Sequence, residues 1–195
     1  MNYDIYGAAI VSISQKDVIE PADVAFLKSS AEQGNTMAMV FLIDCYKHGW
    51  GIEKDDSQAF YWSQKGAELG DTVCMMSLAN CYDDGIGTEQ DRKKSFDLSL
   101  KAANAGNATG MFHTAICYEK GMGVEKDPVE AYKWYKKSAL KGYDLGIYNL
   151  ALCYRFGIGT KQNNNRAFIW MRKLALTGNA LGMYNLGLMY QTGYS

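Results

Sequence analysis

A period of 36 residues runs through the chain and constrains its fold more than any other feature. Cys45-Tyr46, Cys81-Tyr82, Cys117-Tyr118, Cys153-Tyr154 and Met189-Tyr190 form one column. Gly49-Trp50-Gly51, Gly85-Ile86-Gly87, Gly121-Met122-Gly123 and Gly157-Ile158-Gly159 form the next, and Gly193 begins a further copy. Asp55, Asp91, Asp127 and Asn163 align, then Trp62, Leu98, Trp134 and Trp170, then Ala67, Ala103, Ala139 and Ala175. The units close on Gly34, Gly70, Gly106, Gly142 and Gly178. Self-similarity at such a period marks a repeat architecture.

Each unit predicts two helices. In the first, about 36–47 and its copies, Met39, Leu42, Ile43 and Tyr46 recur at helical spacing. The Gly-x-Gly ends it, because glycine reaches the left-handed backbone without steric cost. Asp or Asn then caps the second helix by accepting a free backbone N–H. Asp55 with Gln58 and Asp127 with Glu130 have the capping-box pattern, and Pro128 takes the first helical position. The second helix, about 56–69, carries Ala59, Trp62, Lys65 and Ala67, and the closing Gly is its C-cap.

Subtracting the period puts Gly7, Phe26, Ala31 and Gly34 in register, so residues 1–34 form a degenerate copy. Full copies follow at 35–70, 71–106, 107–142 and 143–178, with a partial one at 179–195. One helical pair cannot bury both its faces, whereas stacked pairs share a continuous core. The expectation is one all-α solenoid domain over 1–195. Ala79, Ala115, Ala151, Gly187 and Gly7 form a small column for close packing, with Ile43 the misfit. The last helix is expected to expose Leu186, Met189 and Tyr190 unless something covers them.

Hydrophobic residues make up 48% of the chain and charged ones 21%, with 2 Pro, a globular composition. No run of 18 apolar residues is present, so no membrane span is expected. Asp4, and no Lys or Arg, precedes the short N-terminal apolar run, a poor secretory signal. The expected location is cytoplasmic, or the sequence is that of a mature form. Cys74 and Cys81 stand two helical turns apart, about 10.5 Å, too far for a disulfide. The five cysteines are expected to be buried free thiols, in keeping with a reducing compartment. Charge is uneven: residues 1–97 carry net −8 and residues 98–195 net +7.

The columns resemble the Sel1-like repeat family, a relative of the tetratricopeptide repeat. The third full copy carries the resemblance through Thr114-Ala115, Tyr118, Gly121, Gly123, Val124, Asp127, Ala131, Trp134, Lys137, Ala139 and Gly142. Ala180–Tyr190 matches as closely, and only residues 1–33 match weakly. The resemblance implies a right-handed superhelical solenoid of 36-residue helix-turn-helix repeats that binds proteins in signalling assembly or, in bacteria, in host interaction. Secreted relatives pair two cysteines within each repeat. Here one recurs, so that disulfide subclass is not expected. An RNA-reading helical repeat of similar period is the competing assignment. The Gly-x-Gly loop, the Trp column and the acidic front half speak against it, and no nucleic-acid partner is expected.

No chemistry stands out. His48 and His113 fall in different columns, and no HExxH, GxSxG, P-loop or dinucleotide fingerprint occurs. No catalytic residue, metal ligand or cofactor is expected. What remains is surface. If first helices line the concave side, as the resemblance implies, the groove is formed by Phe112, Ile116, Leu145, Tyr148, Leu152, Arg155, Leu181, Tyr184 and Leu188. The N-terminal copies offer Asp44, Asn80 and Asp83 there instead. An apolar floor with a basic rim suits a helix or extended segment with acidic flanks. Trp50, alone between two loop glycines, is a second candidate contact. The expected function is non-catalytic protein binding, as an adaptor or scaffold. The alternatives are an inhibitor-type binder, such as a bacterial toxin immunity protein, and self-assembly through the charged and apolar ends.

Overall fold

The computed structural model describes residues 10, 12, 13 and 18–193. Gly7, on which part of the first copy's register rests, lies outside the described residues. Among those residues there are ten α-helices and no strand. They are α1 Pro21–Glu32, α2 Thr36–His48, α3 Asp56–Glu68, α4 Thr72–Asp84, α5 Arg92–Asn104, α6 Ala108–Lys120, α7 Pro128–Leu140, α8 Asp144–Phe156, α9 Asn164–Leu176 and α10 Ala180–Gln191. The chain divides into two compact units, with the boundary between Leu98 and Ser99 inside α5. Unit 1 carries net −8 and unit 2 net +7.

In unit 1 α1 packs on α2, α2 on α3 and α3 on α4, and the first helices α2 and α4 touch. Val24, Leu27, Leu42, Ile43, Tyr46 and Trp62 share its core with Ile10 and Ile13. In unit 2 the same order runs from α6 to α10, and α6 touches α8. Its core gathers Met111, Trp134, Tyr135, Ile147, Leu150, Tyr154, Met171 and Leu174. Full burial of each aliphatic side chain contributes about 1.5–3 kcal/mol. Trp62 and Trp134 are buried, while Trp170 is half-buried against the unit 2 core.

The loop between paired helices repeats bond for bond. Gly49, Gly85, Gly121 and Gly157 end their helices in the left-handed conformation, with φ between 71° and 73°. Gly49, Gly121 and Gly157 each donate to the carbonyl of the column cysteine. The next N–H, of Trp50, Ile86, Met122 or Ile158, bonds the same carbonyl. Asp55, Asp91, Asp127 and Asn163 each donate a backbone N–H to the column tyrosine's carbonyl. Their side chains then cap the second helix, as at Asp55 Oδ1, which accepts from Gln58 N at 3.0 Å. The return bond of a capping box does not form at Asp55 or Asp127. Glu130 instead accepts from Lys133 Nζ at 2.6 Å. A reciprocal box does form between Glu20 and Asp23 at the start of α1.

The second glycine marks where consecutive repeats meet in three of the loops. Gly51, Gly87 and Gly159 also have positive φ, 65° to 67°. A Cβ on Gly51 would lie 2.8 Å from the Ile19 carbonyl oxygen. One on Gly87 or Gly159 would collide with the Asp56 or Pro128 carbonyl, at the N-terminus of the preceding second helix.

The last helix differs from expectation at Leu186 and Met189 and agrees with it at Tyr190. Met189 is 2% exposed, because Gly182, Leu186 and Met189 form the stripe of α10 nearest α9, with Leu186 half-buried. The exposed apolar side chains of α10 are Leu181, Met183, Tyr184 and Tyr190.

Candidate interaction surface

Leu145, Tyr148, Leu152 and Arg155 stand at i, i+3, i+7 and i+10 on α8, a spacing that keeps them on one helix face. Leu181, Tyr184 and Leu188 take the same positions on α10. The N-termini of these two helices are tied together: Asn179, the N-cap of α10, donates from Nδ2 to Asp144 Oδ2 at 2.9 Å. Leu145 and Leu181 are each 44% exposed and Tyr184 is 66% exposed, while Tyr148, Leu152, Arg155 and Leu188 are half-buried. On α6, Ile116 is half-buried and packs its inner side against the core, as Tyr148 does.

Phe112 stands apart. It is buried, with its ring 5.4 Å from that of Tyr143 and 5.9 Å from that of Tyr135. Its burial leaves Leu145, Tyr148, Leu152, Leu181, Tyr184 and Leu188 as the open strip.

Charge on this face follows the same inward and outward division. Glu119 of α6 accepts from Tyr135 Oη at 2.6 Å, and burial, then that bond, pushes the phenol's pKa up. Arg155, one repeat later in the same column, pairs with no carboxylate among the described residues. Its guanidinium lies 5.4 Å from the ring of exposed Phe156. In unit 1 the equivalent face keeps apolar Met37 and Val73, each 48% exposed, beside Asp44, Asn80 and Asp83. Burial raises the Asp44 pKa, with Lys47 and His48 opposing it. Trp50 is 50% exposed and stacks on His48 at 4.8 Å, so its loop presents an indole to solvent.

The chemistry of the five cysteines is that of buried thiols. Burial pushes Cys45 up to about 11 and Cys74 and Cys153 up to about 12, the opposite of what a nucleophile needs. No group of His, Cys, Asp or Glu that could hold a metal ion is present among the described residues. Nor is any helix there long and apolar enough to cross a membrane.

Several contacts were not foreseen from sequence. Lys137 sits 3.5 Å from the Trp134 ring centroid and Lys173 5.0 Å from that of Trp170, cation–π contacts along the second helices. The Trp-x-x-Lys spacing carries that signal. The Tyr132–Tyr154 hydroxyl pair, at 2.9 Å, spans 22 residues and has no local signal. The same is true of the buried Nε1 of Trp62, which has no hydrogen-bond partner, and of the cavity of about 420 Å³ that Trp62 lines with Met39, Tyr61 and Lys65.

The Sel1 repeat family model matches residues 36–71, 72–107, 108–143, 145–179 and 180–195, a register one to two residues later than the one read from the glycine columns. Among solved structures, a Sel1 repeat protein from Oxalobacter formigenes is similar at 30% identity and a TM-score of 0.81, over 89% of this chain and 69% of that one. The protective antigen c5321 of uropathogenic Escherichia coli, which displays the same repeat fold, matches at 28% identity and a TM-score of 0.85. That match covers 97% of this chain and 41% of the antigen. Immunity protein Pa5087 of Pseudomonas aeruginosa shares the fold at 20% identity and a TM-score of 0.64, over 92% of this chain and 67% of that one. No curated protein matches the sequence significantly.

Proposed function

Because the chain belongs to the Sel1 repeat family, whose all-α solenoid repeats generally serve as protein-interaction modules, we propose that it is a non-catalytic binder that takes a protein partner on the first-helix face of unit 2. The observation that carries this reading is the strip on α8 and α10. Leu145, Leu181 and Tyr184 stand open there beside half-buried Tyr148, Leu152 and Leu188, with Arg155 at one end. An apolar strip with an unpaired cation suits an amphipathic or extended segment that carries acidic flanks. The buried, neutral thiols favour a reducing compartment, and a cytoplasmic location is part of the proposal.

The immunity proteins that share the fold stand near 20% identity, and at that distance they support the architecture alone. A dedicated inhibitor and a general adaptor differ in what they would capture. The test is affinity capture from the source cells with the wild type beside Leu145→Ser/Tyr184→Ser, two exposed positions whose change spares the core. Loss of captured partners with the folded variant supports the strip, with one stoichiometric partner favouring the inhibitor and several the adaptor. Undiminished capture would place binding elsewhere, with Trp50 the next position to change.

A further inference from the structure

The second helices of unit 2 carry a face that the repeat itself does not require. On α7, Val129, Lys133, Lys136, Lys137 and Leu140 lie at i, i+4, i+7, i+8 and i+11, one helix face. On α9 the same columns hold Asn165, Ile169, Arg172, Lys173 and Leu176. Both helices flank α8. Val129 is 49% exposed, Leu140 63%, Ile169 61% and Leu176 76%. Lys136 and Arg172 are exposed and pair with no carboxylate among the described residues. Lys137 and Lys173 are held along the face by their tryptophans. Its acidic residue, Glu130, is engaged by Lys133.

The unit 1 copy of this face is different in kind. On α3 the columns read Ser57, Tyr61, Gln64, Lys65 and Glu68, with the last two 3.9 Å apart. The Lys137/Lys173 column recurs in unit 1 as Lys65, whereas Lys133, Lys136, Arg172 and the protruding aliphatics have no counterpart there and are not demanded by the helix pairing.

We propose that this face of α7 and α9 docks on an anionic lipid surface, with the cations among the headgroups and Leu140, Ile169 and Leu176 at the acyl boundary. Charge complementarity supplies the attraction, since each surface lysine or arginine adds to binding at a negative leaflet. The composition chooses lipid over protein: protein interfaces deplete lysine at their centres and concentrate exposed aromatics, and this face does the reverse. It chooses lipid over nucleic acid as well, because aliphatic crests offer bases nothing to stack on.

The experiment is co-sedimentation of the full chain with phosphatidylcholine vesicles, with and without roughly a quarter phosphatidylglycerol, at about 50 and about 500 mM salt. Binding is expected only to the anionic vesicles and only at low salt. Lys136→Glu/Arg172→Glu should weaken it about tenfold or more. Leu140→Ser/Leu176→Ser should weaken it while leaving its salt dependence in place. These positions are exposed, and circular dichroism checks that both variants fold. Failure to bind anionic vesicles, or binding unchanged in the charge-reversed variant, overturns the proposal. It is also overturned if the wild type instead self-associates at low salt and the charge reversal abolishes that, since the occupant would then be the acidic unit of a second copy.

Discussion

At the scale of the residue, the two glycines of each loop look equivalent and are not. Gly157 and Gly159 share a left-handed backbone, with φ of 71° and 65°. A Cβ on Gly157 would find its nearest neighbours at ordinary contact distance, around Gln162 and Thr160. One on Gly159 would strike the Pro128 carbonyl. Gly157→Ala should therefore cost only the strain of the left-handed region, about 1–2 kcal/mol. Gly159→Ala should cost clearly more, since strain and collision add. Urea unfolding of the two variants measures the difference, and equal losses would remove the second glycine's role as the contact between repeats. Sequence showed where a loop had to break the helix. It could not show that the second glycine faces a carbonyl contributed by a residue about thirty positions earlier, because that contact exists only once repeats stack.

At the scale of the element, the small-residue column evident in the sequence is not the one that fixes helix approach. Ala79, Ala115 and Ala151 are buried, but a Cβ on Gly187 of the same column would meet nothing within 4 Å. The tight column is that of Gly110, Gly146 and Gly182, whose unit 1 counterparts are Ala38 and Cys74, the latter facing Gly66. A Cβ on Gly110, Gly146 or Gly182 would stand 2.8 to 3.0 Å from the backbone nitrogen of Ala103, Ala139 or Ala175 in the preceding second helix. This also accounts for the alanine column, whose members lie under the crossing. Spacing in sequence reveals a helix face and not how near another helix comes to it, so nothing in the sequence singles this column out. Alanine outranks glycine in a helix interior by about 1 kcal/mol. Gly187→Ala should therefore stabilise the protein by about 0.5–1 kcal/mol. Gly146→Ala should destabilise it, because the methyl meets Ser138 and the Ala139 nitrogen. Thermal unfolding reads both signs, and a stabilising Gly146→Ala would show that the helices separate without cost. The strip on α8 and α10 was largely legible, since its residues are spaced along single helix faces. Phe112 was not, because the rings of Tyr135 and Tyr143 that enclose it come from other elements.

At the scale of the whole molecule, repeats that touch only their neighbours should open locally, since stability in such arrays is close to a sum of nearest-neighbour contributions. The cysteine column supplies a reporter in each full repeat. Cys45, Cys81, Cys117 and Cys153 are buried, and the burial that raises Cys153 to about 12 keeps its thiol neutral while folded. Unfolded, the same thiol ionises near pH 8.5. The folded form thus holds its proton where the unfolded form releases it. The stabilisation is complete below about pH 8.5 and is lost as pH rises toward 12. At pH 8 a thiol reagent should consequently react through opening, slowly, with all five cysteines of the native chain. Gly159→Ala, which disturbs the contact between α7 and the loop after α8, should speed labelling of Cys117 and Cys153 by the factor its stability loss implies, about tenfold for each 1.4 kcal/mol. Cys45 and Cys81, both in unit 1, should label at the wild-type rate. Peptide mapping after timed alkylation resolves the sites. Equal acceleration at every cysteine would mean that the two units open as one cooperative block, and the division at Leu98 would then have no counterpart in stability.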